Sequence, residues 1–528
     1  MLQALPVLLI MLLASWWRFH KLAEIPATLN RDEAALAYNA YLLMETGKDE
    51  WERRWPLALE SFGDYKLPGY PLLLIPSFAV FGLSDFAVRV PAAVAGVLLI
   101  GVGYLFARGA LRLGHWYALA VAGIVAIQPV FIFYSRMAWE ANVGLLFFTT
   151  AATLLLSTIT PQRLRLVGDV SALVFLLLAI FTYNTPLILI PFLAVSVLIQ
   201  RGWKTWRHSL LGLAGMAVIF AIGMASLASI SQQKSAITIF SDETYWQESV
   251  NYYQSFSGIS QKLFGNRFVF FGRAMVQNFI ASWSPNFLIE EGGEHPWHNL
   301  PGHGHLLIGV YFLALVGVGQ ALRHALSRCS AEDQRRYQAL ILLLLTALAP
   351  AIITVDAPHA TRSLFFFFLL CCLAGLGIRF IAQIVEERST NGANMRVLVA
   401  VLLLIGLTIE ARNYSFAYFS QYRAQSRVIL RAGLEDLVKT IEKQYEGTKT
   451  QVAIVDPDGY MYTHVAWMLR MSPEEFFGTI DRHLPDRIGF KYGYKVGRYR
   501  FIAHREDRLP EDTRMLEWNS DIDQWIVQ

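Results

Sequence analysis

The strongest constraint on this chain's fold is a series of apolar runs, each near the length needed to cross roughly 30 Å of hydrocarbon. They fall near residues 2–17, 87–107, 115–134, 140–158, 167–182, 185–200, 209–229, 304–322, 338–354, 362–382 and 397–411, about eleven by that criterion. Hydrophobic residues make up 55% of the 528 and charged residues 16%, too apolar a balance for a water-soluble enzyme of this length. A polytopic, all-α membrane domain is expected. The run at 2–17 has no basic leader and no small-residue cleavage site, so it reads as a retained first helix and not as a signal peptide.

Basic residues fall in alternate connections between the runs: Arg108 and Arg112, Arg163 and Arg165, Arg201, Lys204 and Arg207, Arg323, Arg328, Arg335 and Arg336, and Arg388 and Arg396. The positive-inside rule puts these in the cytoplasm and the other connections outside. The outer loops are then 18–86 and 230–303, together with Arg136–Glu140, Tyr183–Thr185, Asp356–Arg362 and the tail after Arg412. Counting Tyr70–Phe81 as a span would reverse every later loop. That segment is therefore expected to be an interfacial helix. The net charge of +4 is spread over short clusters, so no nucleic-acid-binding face is expected. Three cysteines, two of them adjacent at Cys371 and Cys372 and the third at Cys329, provide no disulfide framework.

The domain reading is a membrane domain over 1–411 and a small extracytoplasmic α/β domain over 412–528. In the tail, Gln451–Asp456 and Tyr499–Ala503 have the composition of buried strands. Asp456–Gly459 reads as a turn, and Ser472-Pro473-Glu474-Glu475 as a capped helix start. The long 230–303 loop, rich in aromatic and amide residues, is expected to be a binding surface or lid.

Charged residues beside hydrocarbon are costly and commonly functional. The acidic pair Asp32-Glu33 follows the first run, and Glu60-Ser61-Phe62-Gly63-Asp64-Tyr65-Lys66-Leu67-Pro68 comes some thirty residues later. For the acidic pair the alternative is capping of a helix start, which acids also favour. For Lys66 it is interfacial anchoring. Glu290, Glu291, Glu294, His295, His298, His303 and His305 are the cluster whose composition most suits a divalent metal. Gly292, Gly293, Pro296 and Pro301 interrupt the helix that would align them, so a polar lid is the preferred reading, and a metal remains possible.

The order Asp32-Glu33, Asp64-Tyr65-Lys66-Leu67-Pro68, Phe86-Ala87-Val88-Arg89-Val90-Pro91 and Ser135-Arg136-Met137-Ala138-Trp139-Glu140 resembles the GT-C glycosyltransferases. Within these it is most similar to the protein O-mannosyltransferase and aminoarabinose transferase-like group. The resemblance implies a bacterial plasma-membrane enzyme that moves a sugar, with inversion, from a polyprenyl-phosphate donor to a hydroxyl acceptor outside the cytoplasm. The acceptor would be a protein, a glycolipid or a polysaccharide. It implies Asp32 as general base, Glu33 as a catalytic residue that assists or orients it, Glu140 as a further catalytic acid, Lys66, His359 and Arg362 on the donor phosphate, and Arg89 as organising the acidic pair or meeting that phosphate. Asp64, Tyr65, Tyr183, His295, His298 and His303 would line the pocket or its lid. Many relatives carry Glu where Tyr65 stands, which weakens the case for a metal there. Two other readings are an oligosaccharide transferase or polymerase using a lipid diphosphate, and a lipid or solute transporter.

Overall fold

The computed structural model describes residues 4–158, 164–202, 206–228, 238–293, 295, 297–327, 330–389, 391–448, 450–486, 489–505, 509–510 and 513–528. Arg163, Lys204, Glu294, Pro296, Arg328 and Cys329 lie outside them. The chain forms two compact units, one comprising Met1–Arg18, Val94–Ser135 and Glu140–Phe416, the other Phe19–Ala93, Arg136–Trp139 and Ala417–Gln528.

The first unit is helical, and the expected apolar runs fall on helices, of which Asp85–Gly109 and Gly392–Ile429 have their residues divided between the two units. Among the described residues, Asp85–Gly109, Ile308–Leu326, Ala331–Ile352, Thr361–Arg388 and Gly392–Ile429 are long and apolar enough to cross a bilayer. Leu5–Phe19, His115–Ile127, Glu140–Leu156, Thr185–Arg201 and Leu210–Ser226 are shorter apolar helices. The run 115–134 is broken into His115–Ile127 and Pro129–Tyr134, with Gln128 extended at φ −68° and ψ 133°. Proline at 129 disfavours the helical conformation at 128. The break is satisfied within the protein: Arg18 donates to the Ala126 carbonyl at 3.0 Å, and Gln128 Oε1 accepts from Leu307 N at 3.0 Å. Irregular backbone at such positions is tolerated where protein supplies those partners.

Two helices approach each other closely through glycine. A Cβ on Gly317 of Ile308–Leu326 would lie 1.9 Å from the Leu373 carbonyl, and one on Gly377 of Leu364–Arg388 would lie 2.1 Å from that of Leu313. Small residues make such backbone contact possible where the hydrophobic effect does not drive association.

The second unit has a hairpin, β1 (Leu59–Ser61) and β2 (Asp64–Lys66), and a six-stranded sheet in the tail. The tail strands are β3 (Val452–Val455), β4 (Asp481–Arg482), β5 (Gly493–Val496), β6 (Tyr499–Ile502), β7 (Arg514–Asn519) and β8 (Gln524–Val527). Their order is β4-β5-β6-β3-β7-β8, with β3 central and parallel to both β6 and β7. The strand, turn and cap signals of the tail fall where the sequence put them. Ser472 accepts from Glu475 N at 3.2 Å, and Asp456 closes its turn on Gly459 N at 3.0 Å.

The helix Gly69–Phe81 has 13 residues, about 20 Å at 1.5 Å per residue and too short for a full crossing. Phe78 stacks on Trp467 of the tail with ring centroids 5.5 Å apart, and Tyr70 and Ser77 hydrogen-bond to the Val88 and Ala87 carbonyls.

Candidate active site

Two fully buried arginines fold the segment that precedes the acidic pair. Arg89 donates from Nη1 to the Leu22 and Pro26 carbonyls, at 3.0 and 2.9 Å, and from Nη2 to Thr28 at 2.6 Å. Arg136 donates to the carbonyls of His20, Lys21 and Ile25, and its guanidinium lies over Tyr418 and Phe419 at 5.1 and 4.9 Å. Backbone that would otherwise bury unpaired carbonyls is thereby held in one conformation.

The helix Arg31–Thr46 starts where this segment ends. Asn30 Oδ1 accepts from the backbone N–H of Asp32 and Glu33, and Glu33 Oε2 accepts from Asn30 N at 3.0 Å. This capping box satisfies donors of the first turn reciprocally, so the capping alternative applies to Glu33 and not to Asp32. Glu33 is completely buried. Its carboxylate also receives Arg89 Nε at 3.0 Å, Arg89 Nη2 at 3.2 Å and Ala138 N at 2.7 Å.

Of the two expectations for Arg89, organising the acidic pair is the one these contacts match: its guanidinium makes five hydrogen bonds to Glu33 and three carbonyls, the full donor capacity of the group. Glu33 has its side chain closed to solvent, which suits orienting its neighbour better than meeting a substrate. Arg89 and Glu33 fix the helix turn that presents Asp32.

Asp32 is left facing a cation. Lys66 Nζ lies 2.7 Å from Asp32 Oδ1 and 2.7 Å from Asp64 Oδ2, and the Arg31 Nε is 4.0 Å from Asp32. Side-chain exposures of 13% for Asp32, 11% for Lys66 and 23% for Asp64 leave the three partly open to an incoming group. The β1–β2 register pairs Ser61 with Asp64 and Leu59 with Lys66, so Asp64 and Lys66 come from one short strand. Its turn requires glycine: Gly63 has φ +91°, and a Cβ there would sit 2.5 Å from Phe490 Cα.

The tail secures this hairpin. Tyr462 Oη donates to Glu50 Oε1 at 2.9 Å and accepts from Phe62 N at 2.9 Å, while Lys491 N donates to the Phe62 carbonyl at 3.1 Å. Glu60 accepts from Tyr65 Oη at 3.1 Å and is paired with Arg53 at 3.2 Å and Lys491 at 3.0 Å. Tyr65 therefore braces the hairpin through Glu60.

Glu50 is the pH-sensitive member of this network. Burial pushes its carboxyl up to about 7, only partly offset by Arg482 and the Tyr462 hydrogen bond. An acid raised from its ordinary 4.5 keeps a proton when folded that the unfolded chain has released. Stability from this group is therefore full at pH below about 4.5 and is lost as pH rises to about 7. The cost above that window is on the order of 3 kcal/mol. Thermal unfolding is expected to show a larger drop between pH 5 and pH 8 for the wild type than for Glu50→Gln. Equal drops would remove Glu50 from this role.

The membrane unit holds a second polar cluster. His298 Nδ1 is 3.1 Å from Tyr134 Oη and 3.2 Å from Thr361 Oγ1, and those two hydroxyls are 2.8 Å apart. The rings of His295 and His359 approach His298 with centroids at 4.7 and 4.6 Å. Arg362 donates to Thr354 Oγ1 at 2.8 Å and pairs with Asp356, which also meets His359 Nε2 at 3.4 Å. Burial, then neighbouring positive charge, holds both His298 and His359 well below the ordinary histidine range, so both are neutral at pH 7. His359 can offer a hydrogen bond but not a charge.

Of the residues over Glu290–His305, His295 and His298 stay ring to ring while His303 and His305 take other partners, and Glu294 lies outside the described residues. His305 is buried between Phe287 and Phe367 with Nε2 2.5 Å from the Gly292 carbonyl, and His303 stands beside Tyr414. Asn286–Glu290 is a single π turn, and Gly292 and Gly293 have φ of +77° and +111°, so the glycines break the helix as expected. Among the described residues no three His, Cys, Asp or Glu side chains stand in a metal-holding arrangement. Glu140 is buried and opens the helix Glu140–Leu156. Tyr183 lies in the turn before Thr185–Arg201, packed so closely on Gly144 that a Cβ there would meet it at 2.8 Å. Sequence reading missed Asn30, Glu50, Tyr134, Thr361 and Tyr462. Only Asn30 had a readable signal, the Asn-x-x-Glu spacing of a capping box.

With this geometry in hand, comparison with known proteins places the architecture. The crystal structure of ArnT from Cupriavidus metallidurans bound to undecaprenyl phosphate matches with a TM-score of 0.53 and 15% identity, over 88% of this chain and 84% of that one. The archaeal oligosaccharyltransferase AglB from Archaeoglobus fulgidus, in complex with an inhibitory peptide and a dolichol-phosphate, matches with a TM-score of 0.51 and 13% identity. That match covers 88% of this chain and 63% of AglB. The chain thus has the GT-C fold and is an integral membrane protein. Residues 66–228 match the family model described as dolichyl-phosphate-mannose-protein mannosyltransferase. No curated protein sequence matches the chain.

Proposed function

We propose that this protein is an inverting membrane glycosyltransferase that transfers a sugar from a polyprenyl-phosphate carrier to a hydroxyl acceptor on the extracytoplasmic side. The single observation that carries the reading is Asp32, set by a capped helix start and held 2.7 Å from Lys66, in a chain with the fold of enzymes whose structures hold polyprenyl phosphates. In this reading an Asp32 oxygen takes the proton from the acceptor hydroxyl as its oxygen bonds to the anomeric carbon. The bond from that carbon to the phosphate oxygen breaks, and its electron pair leaves with the lipid phosphate. Lys66 stabilises the charge that develops there, most effectively where water is scarce. A phosphate that draws Lys66 away from Asp32 also frees Asp32 to accept the proton.

In the membrane unit, Arg362 is proposed as a separate anion contact, because its planar donor fork suits phosphate. Glu140 and Tyr183 are proposed to line a pocket of that unit, and His295, His298 and His303 a cover over it. No step is assigned to a metal.

Purified protein given a polyprenyl-phosphate sugar should release free polyprenyl phosphate when an acceptor is present. Lys66→Met is expected to weaken binding of that donor by about 1.5–3 kcal/mol, the value of a hydrogen bond to a charged group, with acceptor binding unchanged. Donor affinity equal to the wild type would reassign Lys66 to anchoring the hairpin.

A further inference from the structure

The helix Arg267–Ser282 is apolar on two sides. One side packs inward: Phe271 and Ala274 are buried with Ile239, against Tyr245, Phe270, Met275 and Val355. On the other, Phe268, Val276 and Ile280 stand at i, i+8 and i+12, exposed at 91, 58 and 63%. At 3.6 residues per turn these positions lie about 80° and 120° round from the first, so the three side chains share a sector of about 120°. The short helix just before it, Gly258–Leu263, and Phe264 after that helix add further exposed apolar side chains, Ile259, Leu263 and Phe264, at 78, 59 and 58% exposure. Lys262 and Arg267 stand among them in sequence, the latter with its guanidinium 3.9 Å over the Trp246 ring.

The attachment of this element indicates what covers it. Ile239 N donates to the Ile353 carbonyl at 3.0 Å, and Thr238 bridges to Thr354. Asn278 Nδ2 donates to Ile352 O at 3.0 Å and Thr354 O at 3.4 Å. The helix is thus tied to the Ile352 end of Ala331–Ile352, a helix long and apolar enough to cross a bilayer. Trp, Lys and Arg among exposed apolar side chains are the composition of a bilayer boundary.

We infer that 258–282 is an interfacial wedge that seats Ile259, Leu263, Phe264, Phe268, Val276 and Ile280 in the lipid surface beside the Ile352 end of that helix. Lys262 and Arg267 would reach lipid phosphates from the same face while their stems remain among the apolar side chains. The occupant is phospholipid. A second copy of the chain on this face is the competing outcome.

The test uses the full-length protein reconstituted in vesicles of phosphatidylcholine and phosphatidylglycerol. Single cysteines replacing Phe268, Ile280 and, as an aqueous reference, Lys439 are labelled with an environment-sensitive fluorophore. Phe268 and Ile280 are exposed, so folding does not depend on them. Expected are blue-shifted emission at 268 and 280 and quenching by nitroxide-bearing lipids several-fold stronger than at 439, with little quenching by aqueous iodide. Iodide quenching at 268 and 280 equal to that at 439 would overturn the inference. So would protection from both quenchers, which would mean that protein covers the face.

Discussion

Asp32→Asn is expected to abolish sugar transfer while the protein stays folded and still binds its donor. The substitution keeps the shape of the side chain and removes its basicity, and a positioned base typically contributes 10²–10⁴-fold to rate. The amide oxygen can still accept from Lys66, which lies 2.7 Å from Asp32 Oδ1, so the hairpin need not move. Asp64→Asn is the internal control. It neutralises the other partner of Lys66 and is expected to lower transfer far less, because Lys66 then keeps Asp32 as its sole ionised partner in the triad. Turnover at the wild-type rate by folded Asp32→Asn protein would remove Asp32 from the role of base. Similar losses in both variants would mean that the charge balance around Lys66 matters, and not a particular carboxylate.

Arg89→Ala should be the most destabilising single change in the second unit. Removing one partner of a buried ion pair typically costs 3–5 kcal/mol, because the other charge is left without compensation. Here the loss would strand Glu33, which is fully buried, together with the carbonyls of Leu22, Pro26 and Thr28. Arg89→Met with Glu33→Met is expected to recover the part of the loss that comes from the stranded charge, with the three carbonyls still unpaired. Thermal unfolding in detergent would measure both. If Arg89 instead binds the donor phosphate, Arg89→Ala will unfold near the wild-type temperature with a weakened donor affinity, and the positioning role fails.

The difference between these two residues shows how far residue type and order can be read. Asp32 and Glu33 are adjacent, both acidic and both in the first turn of one helix, so the chain alone offers no reason to separate them beyond the Asn30 spacing. The structure separates them by their partners. Glu33 meets Arg89 from 56 positions away and Ala138 N from 105 positions away, whereas Asp32 meets a lysine on a hairpin edge. Arg89 is open to two readings in the same way. An arginine at the start of an apolar helix suits either a phosphate or a nest of carbonyls, and only the path of residues 22–28 decides.

The histidines between 290 and 305 illustrate the limit from the other side. Their spacing suggested a cluster, but left-handed backbone at Gly292, Gly293 and Gly302 turns the chain between them. His298 ends up beside His359, 61 residues on, and His305 among phenylalanines. Local spacing predicts proximity only on a regular element, and this segment is not one.

What the sequence determined by itself is whatever depends on composition, on periodicity or on a few consecutive residues. The apolar runs became helices, Pro129 broke one of them, Gly69–Phe81 stayed too short to cross, and the tail's turn and cap formed where the residue types require. These follow from solvation of the chain and from its own steric rules, which act within a turn or two. The tertiary structure decided which charged groups are neutralised internally and which still face outward. That outcome depends on partners brought together from distant parts of the chain, and a buried charge is kept only where such partners meet it.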